Sequence, residues 1–392
     1  MKNLFCSPEI ILFRAAKYTV PPAEIMNKPP TSDPFNPVGI KYFRVPFVLL
    51  AVISLFLGLW TGLNRIGWNF AMLPANMHHG AMMVGGFLGS LIAIEKIIPL
   101  KKKILFLIPL LSVSAVLFFF LNEPKFSFIL LVVASAALCF VFLYYFLREK
   151  NLIFLLMVLG SACWLTGNLM LLTRNFYPLA FPWWMGFILL IITAERLELM
   201  NFLPVSRSKK KLLVVFLILY LSGVLFSFHG PGHKISGSAL IAISLWLMRY
   251  DIIGLSIHKP GLHGFVSTAL LSGYTGMLFT GIFLLALDNQ ALSYDATVHT
   301  FFLGFAFSMI FAHGPIILPG VLGLSAKPFH KILYLWLFFL QLSWIIRIAG
   351  DILLNFEIRK VSGMMTALTI PAYFATLITL TMLSQRQHAK IL

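Results

Sequence analysis

The sequence predicts an all-α integral membrane protein of about twelve transmembrane helices. Three observations carry that reading. Only 11% of the 392 residues are charged and 59% are hydrophobic, whereas soluble domains carry about 25% charged residues. The mean hydropathy is +0.92. Long apolar runs recur along the chain with short connections, each near the roughly 20 residues needed to cross a hydrocarbon core.

Residues 1–44 read as a cytoplasmic, largely disordered tail, because 21–37 (PPAEIMNKPPTSDPFNP) is rich in proline. The transmembrane domain then covers 45–384, and 385–392 form a short cytoplasmic tail. The first span, 45–63, ends before Arg65, and the second, 78–99, ends before the basic run Lys101–Lys103. The third is 104–121; Lys125 precedes the fourth, 127–147. The fifth, 152–172, stops short of Arg174, and the sixth is 182–203. Arg207 and Lys209–Lys211 lead into the seventh, 212–228. Lys234 precedes the eighth, 237–257. The ninth, tenth and eleventh are 263–287, 295–319 and 331–354, and Arg359 and Lys360 lead into the last, 362–383.

Lysine and arginine accumulate on the cytoplasmic side of membrane proteins. With a cytoplasmic N-terminus, Arg65, Lys125, Arg174, Lys234, Arg359 and Lys360 are the only basic residues in outer segments, and Arg196 and Arg347 lie inside spans. Both termini are then cytoplasmic, in a bacterial-type inner membrane. The net charge of +17 therefore reflects topology. No basic helix face interleaved with base-stacking aromatics accompanies it, which excludes nucleic acid as a partner. The bilayer is the expected one. Three scattered cysteines form neither a CxxC pair nor a CxxCH haem-attachment motif.

Ionisable residues inside spans are costly and mark candidate sites. An outer layer holds His78 and His79 at the start of span 2, His299 in span 10, and Arg347 with Asp351 one turn apart in span 11. Arg174 lies in the outer loop before span 6. An inner layer holds Glu95, Glu195, Arg196, Glu198, His263 and His313. His313 follows His299 by fourteen residues, about 21 Å along one helix and nearly on the same face.

Each has a structural alternative. His78 and His79 could cap span 2, Glu95 could pair with Lys96, and the Glu195–Glu198 run could be a helix-end ion network. Arg347 could simply pair with Asp351. His299 stands in an otherwise apolar run. The glycines after His79 (HGAMMVGGF) suit either a flat ligand or a close-packed helix. Two histidines at equal depth on separate helices, His79 and His299, meet the needs of axial haem ligation, with Arg347 or Arg174 facing the propionates. Asp295 or Thr300 would orient His299.

Span 2 (HHGAMMVGGFLG) and span 10 (YDATVHTFFLGFAFSMIFAHGPIILP) resemble the NnrS family of haem- and copper-containing bacterial membrane proteins. They are more distantly similar to subunit I of the haem-copper oxidases, which also has twelve spans. That resemblance implies an oxidase-subunit-I-like bundle with a b-type haem on His79 (Met83 four residues on) and His299. It implies a role in nitric oxide or nitrogen-oxide stress or in membrane electron transfer, with a redox partner or a diatomic gas as ligand. Phe301 stands where the oxidases have a second histidine, and spans 6 and 7 lack the histidines that hold oxidase copper. An oxygen-reducing proton pump is thereby disfavoured. His263 and His313 could form a second haem or copper site. The competing readings are a proton-coupled small-molecule carrier, which buried carboxylates and histidines would serve, and a non-catalytic subunit of a respiratory complex.

Overall fold

A computed structural model describes residues 41–391, apart from 72, 288, 289, 325 and 326. The proline-rich tail thus lies outside the described residues. Those described are helical throughout, with no strand among them.

Eleven helices are long and apolar enough to cross a membrane. We number them by chain order with the one other long helix included. They are α1 (Tyr42–Arg65), α2 (Pro74–Leu100), α3 (Lys103–Phe120), α4 (Pro124–Glu149), α5 (Leu152–Arg174) and α6 (Tyr177–Leu199). After α7 come α8 (Phe228–Ser256), α9 (Leu262–Ala286), α10 (Ser293–Leu322), α11 (Ile332–Ile352) and α12 (Phe356–Gln385). Helix α7 (Arg207–Leu225) falls at the predicted seventh span but opens with Arg207, Lys209, Lys210 and Lys211. The last helix continues to Ile391, so the expected C-terminal tail extends α12.

Burial is unequal and follows a period of four helices. The most apolar stretches of α2, α6 and α10 are 67%, 72% and 61% buried, against 33–50% for the other eight. These three helices form the centre, and both candidate haem-ligand histidines, His79 and His299, lie on them. Phe87 of α2 stacks on Phe307 of α10 at 5.9 Å. Phe181 of α6 meets Tyr294 of α10 edge-on at 5.5 Å, and His78 of α2 meets Tyr177 of α6.

Polar side chains fasten the outer helices to this centre. Asn168 of α5 is fully buried; it donates to Leu131 O and Ser135 Oγ of α4 and accepts from Trp184 Nε1 of α6. An unsatisfied amide at that depth would cost several kcal/mol, so the triple bond sets the register of three helices.

Two of the central helices are not regular. Residues Met82–Gly89 of α2 and Thr300–Phe307 of α10 are π-helical, a form found as short insertions and often at functional sites. Each π segment begins within one turn after a histidine, His79 or His299.

Candidate functional site at the two ends of the central helices

The N-terminal ends of α2, α6 and α10 lie together and form a histidine end. The adjacent imidazoles of α2 diverge. His78 Nδ1 is 2.9 Å from Tyr177 Oη, and its ring stacks on Phe119 at 4.5 Å. His79 turns instead to α1, where its Nδ1 lies 2.6 Å from Gly58 O. A carbonyl only accepts, so Nδ1 carries the hydrogen and Nε2 keeps its lone pair. His299 repeats the arrangement within its own helix: Nδ1 donates to Asp295 O at 2.9 Å. Neither Nε2 has a hydrogen-bond partner among the described residues. The two rings lie within electrostatic range of each other, with Arg65 and Arg347.

The glycine beside this histidine serves helix packing. A Cβ on Gly62 of α1 would come within 2.8 Å of His79 Cε1 and 3.0 Å of Nδ1. The ring therefore rests on bare backbone. Farther along α2, a Cβ on Gly85 would meet Leu131, and one on Gly86 would meet Val116 and Ser54. Of the two uses the sequence allowed for these glycines, the close-packed helix is the one seen.

Around His299 the charges form a four-member network. Arg347 of α11 donates from Nε and Nη2 to the two oxygens of Asp295 at 2.9 and 3.1 Å. Arg359 of α12 lies 2.6 Å from Asp351 Oδ1 and 3.3 Å from Asp295 Oδ2. The expected Arg347–Asp351 pair is present but long, at 4.0 Å; Asp295 is the principal partner. Two arginines balance two aspartates, and three helices are tied together.

The opposite, carboxylate end gathers the C-terminal ends of the same central helices. Lys96 Nζ sits between Glu95 Oε1 at 3.0 Å and Glu195 Oε1 at 2.5 Å. Arg196 Nη2 donates to His313 Nε2 at 2.6 Å, while His313 Nδ1 donates to Met309 O. Both nitrogens of that ring are thus engaged and the imidazole is neutral. Arg196 also faces Asp251 of α8 at 3.9 Å, and Tyr274 of α9 donates to Asp251 at 2.5 Å.

Residues 44–382, nearly the whole helical bundle, match the family described as Domain of unknown function (DUF8744). The chain belongs to that family. No curated protein and no solved structure matches it.

Within this DUF8744 member the sequence-derived candidates separate cleanly. His79, His299, Asp295 and Arg347 share the histidine end. Thr300 donates to Ala296 O and does not orient His299; Asp295 does. Arg174 is exposed at the end of α5, without a hydrogen bond or ion pair. His263 is exposed at the start of α9, and nothing joins it to His313. No group of three or more His, Cys, Asp or Glu among the described residues could hold a metal ion. Two grooves indent the surface, about 500 Å³ between α9 and α11 and about 340 Å³ beside Phe43 and Lys103; neither is lined by His79 or His299.

One residue escaped the sequence reading. Arg65 ends α1 and lies within electrostatic range of His78, His79, Tyr177 and Tyr294. It is exposed and pairs with no carboxylate. Its position read as an ordinary loop base, and only the packing of α1 against α2 gives it a place.

Proposed function

We propose that this protein is a multi-pass membrane haem protein of NnrS-like type, holding one b-type haem between His79 of α2 and His299 of α10. The observation that carries the reading is the matched state of the two rings. Each donates Nδ1–H to a backbone carbonyl, which fixes the tautomer and leaves Nε2 as a ligand. The donor chemistry fits iron, and each histidine lies within one turn before a π segment.

The chain's own residues divide the work. His79 and His299 bind; Gly58 O and Asp295 O orient them. Arg65, which pairs with no carboxylate among the described residues, offers a cation to an anionic edge of the ligand, because Arg347 is held by Asp295. Arg174 is not among the charges within range of His78 or His79, as Arg65 is, and Arg347 supports the site through Asp295. When bound, haem would supply electron transfer or diatomic-gas binding. Nitrogen-oxide handling in a bacterial-type inner membrane is the setting the resemblance supports. Whether copper accompanies the haem is answered on the same sample, and His313, spent on Arg196, is not its ligand.

The test is the pyridine haemochrome spectrum and copper content of detergent-purified protein from haem-replete cells. Stoichiometric haem is expected, lost in large part in His79→Ala and in His299→Ala but kept in His78→Ala. A colourless wild-type protein would refute the reading.

A second reading, a proton-coupled carrier, draws on the carboxylate end. Carboxylates, a lysine and an arginine buried between spans are what such a carrier uses. Substrate-dependent thermal stabilisation of a colourless protein would favour it.

A further inference from the structure

The carboxylate end is unbalanced, and the imbalance does not depend on the haem reading. Glu95 and Lys96 come from α2, Glu195, Arg196 and Glu198 from α6, Asp251 from α8, Tyr274 from α9 and His313 from α10. Glu198, one turn beyond Glu195, lies within electrostatic range of Lys96 and Glu195. Four carboxylates therefore face two cations, and His313 adds no charge because both its nitrogens are engaged. At the histidine end, by contrast, two arginines meet two aspartates. Uncompensated charge inside a bundle is expensive.

The contacts rank the three carboxylates that hold an ion pair. Asp251 has the Tyr274 hydroxyl and Arg196. Glu195 has the shorter bond to Lys96, at 2.5 Å, and stands within range of Arg196 and His313. Glu95 has the longer share of Lys96, at 3.0 Å, and Arg196 within range, but no His313 beside it.

A second observation lies on α6. Arg196 is 3% exposed and Thr193 0%, yet Arg196 Nε and Thr193 Oγ1 have no hydrogen-bond partner. Helical threonines elsewhere in the chain, such as Thr61, Thr166, Thr280 and Thr300, donate to the carbonyl four residues back. Thr193 does not. Two unpaired polar atoms one turn apart provide the partners that a water requires, beside the carboxylates.

We propose that this end of the central helices is a proton-binding site: Glu95 takes one exchangeable proton from water and shares its position with Glu195 across Lys96. The step balances simply. A carboxylate and a proton become a carboxylic acid, Lys96 remains an ammonium, and the local charge falls by one. Arginine does not give up its proton, so Arg196 bounds the site, and the proton exchanges with water at this end without passing through to Asp251.

Infrared spectra of the full-length detergent-solubilised protein at neutral pH, in H2O and D2O and with and without sodium, test this directly. A protonated-carboxylic-acid band that shifts in D2O is expected. It should be lost in Glu95→Gln, kept in Glu198→Gln and unchanged by sodium. No such band in the wild-type protein, or one that survives Glu95→Gln, would overturn the proposal. A band abolished by sodium would overturn it too, since a metal cation would then hold the place. Should Glu95→Gln fail to accumulate, the wild-type D2O shift decides, with Glu195→Gln expected to keep a band.

Discussion

Gly62 decides how the His79 ring stands. With a Cβ 2.8 Å from Cε1, Gly62→Ala must push the imidazole or separate α1 from α2. Overpacking of a filled interior costs about 1–3 kcal/mol. The expected result is a lower melting temperature in detergent together with diminished haem retention, while Gly254→Ala, with open space around it, changes neither. Unchanged melting and haem content in Gly62→Ala would mean that α1 does not set the ring. At this scale the sequence shows which side chains are polar inside apolar runs and not what they touch. The polarity of His79 and His299 inside apolar runs was visible without coordinates. Arg347 was assigned Asp351 because a partner four residues away on one helix is the nearest available in one dimension. Its main partner, Asp295, stands 52 residues earlier.

Helices α10, α11 and α12 are joined by the Asp295–Arg347–Asp351–Arg359 network, and its neutrality makes a specific forecast. Removing Arg347 alone leaves two carboxylates facing one guanidinium, a break that costs about 3–5 kcal/mol for a buried pair. Arg347→Leu combined with Asp295→Leu leaves the Arg359–Asp351 pair, at 2.6 Å, balanced. The double variant should therefore melt higher than Arg347→Leu. Equal or lower stability of the double variant would show that the network acts through shape and not through charge. The π segments also belong to this scale, and they explain why a spacing argument failed. Fourteen residues would return His313 to the face of His299 on a straight α-helix. Thr300–Phe307 intervenes as π-helix, which winds fewer degrees per residue. His299 consequently meets Asp295 at the α11 side, and His313 meets Arg196 of α6. No residue preference in TFFLGFAF announces a π turn; it is a product of packing, and so the sequence could not show it.

For the whole molecule the open quantity is the number of crossings, and it rests on α7. Eleven helices satisfy length and composition; eleven crossings would put the termini on opposite sides and twelve on the same side. The start of α7 carries four basic residues, which leaves 212–225 as its apolar part, about 21 Å long at 1.5 Å per residue. That is short for a hydrocarbon core of about 30 Å. Lysine stems can nonetheless lie along apolar surface with their ammonium groups at the interface, which extends the usable length. The contacts give the helix its direction. Tyr220, near the end of α7, donates to Pro182 O at the start of α6. Lys210, near its beginning, donates to Asn201 just beyond the end of α6. Helix α7 therefore runs antiparallel to α6. Together with the basic bias of one set of connections, this predicts that residues flanking both termini label from the cytoplasmic side. Single cysteines at Lys101 and Lys209 should be protected from an impermeant maleimide in intact cells. One at Arg174, Lys125 or Lys234, the last of these beyond α7, should react. Protection at Lys234 as well as at Lys209 would mean that α7 does not cross. The histidine end and the carboxylate end would then no longer correspond to opposite faces of one membrane.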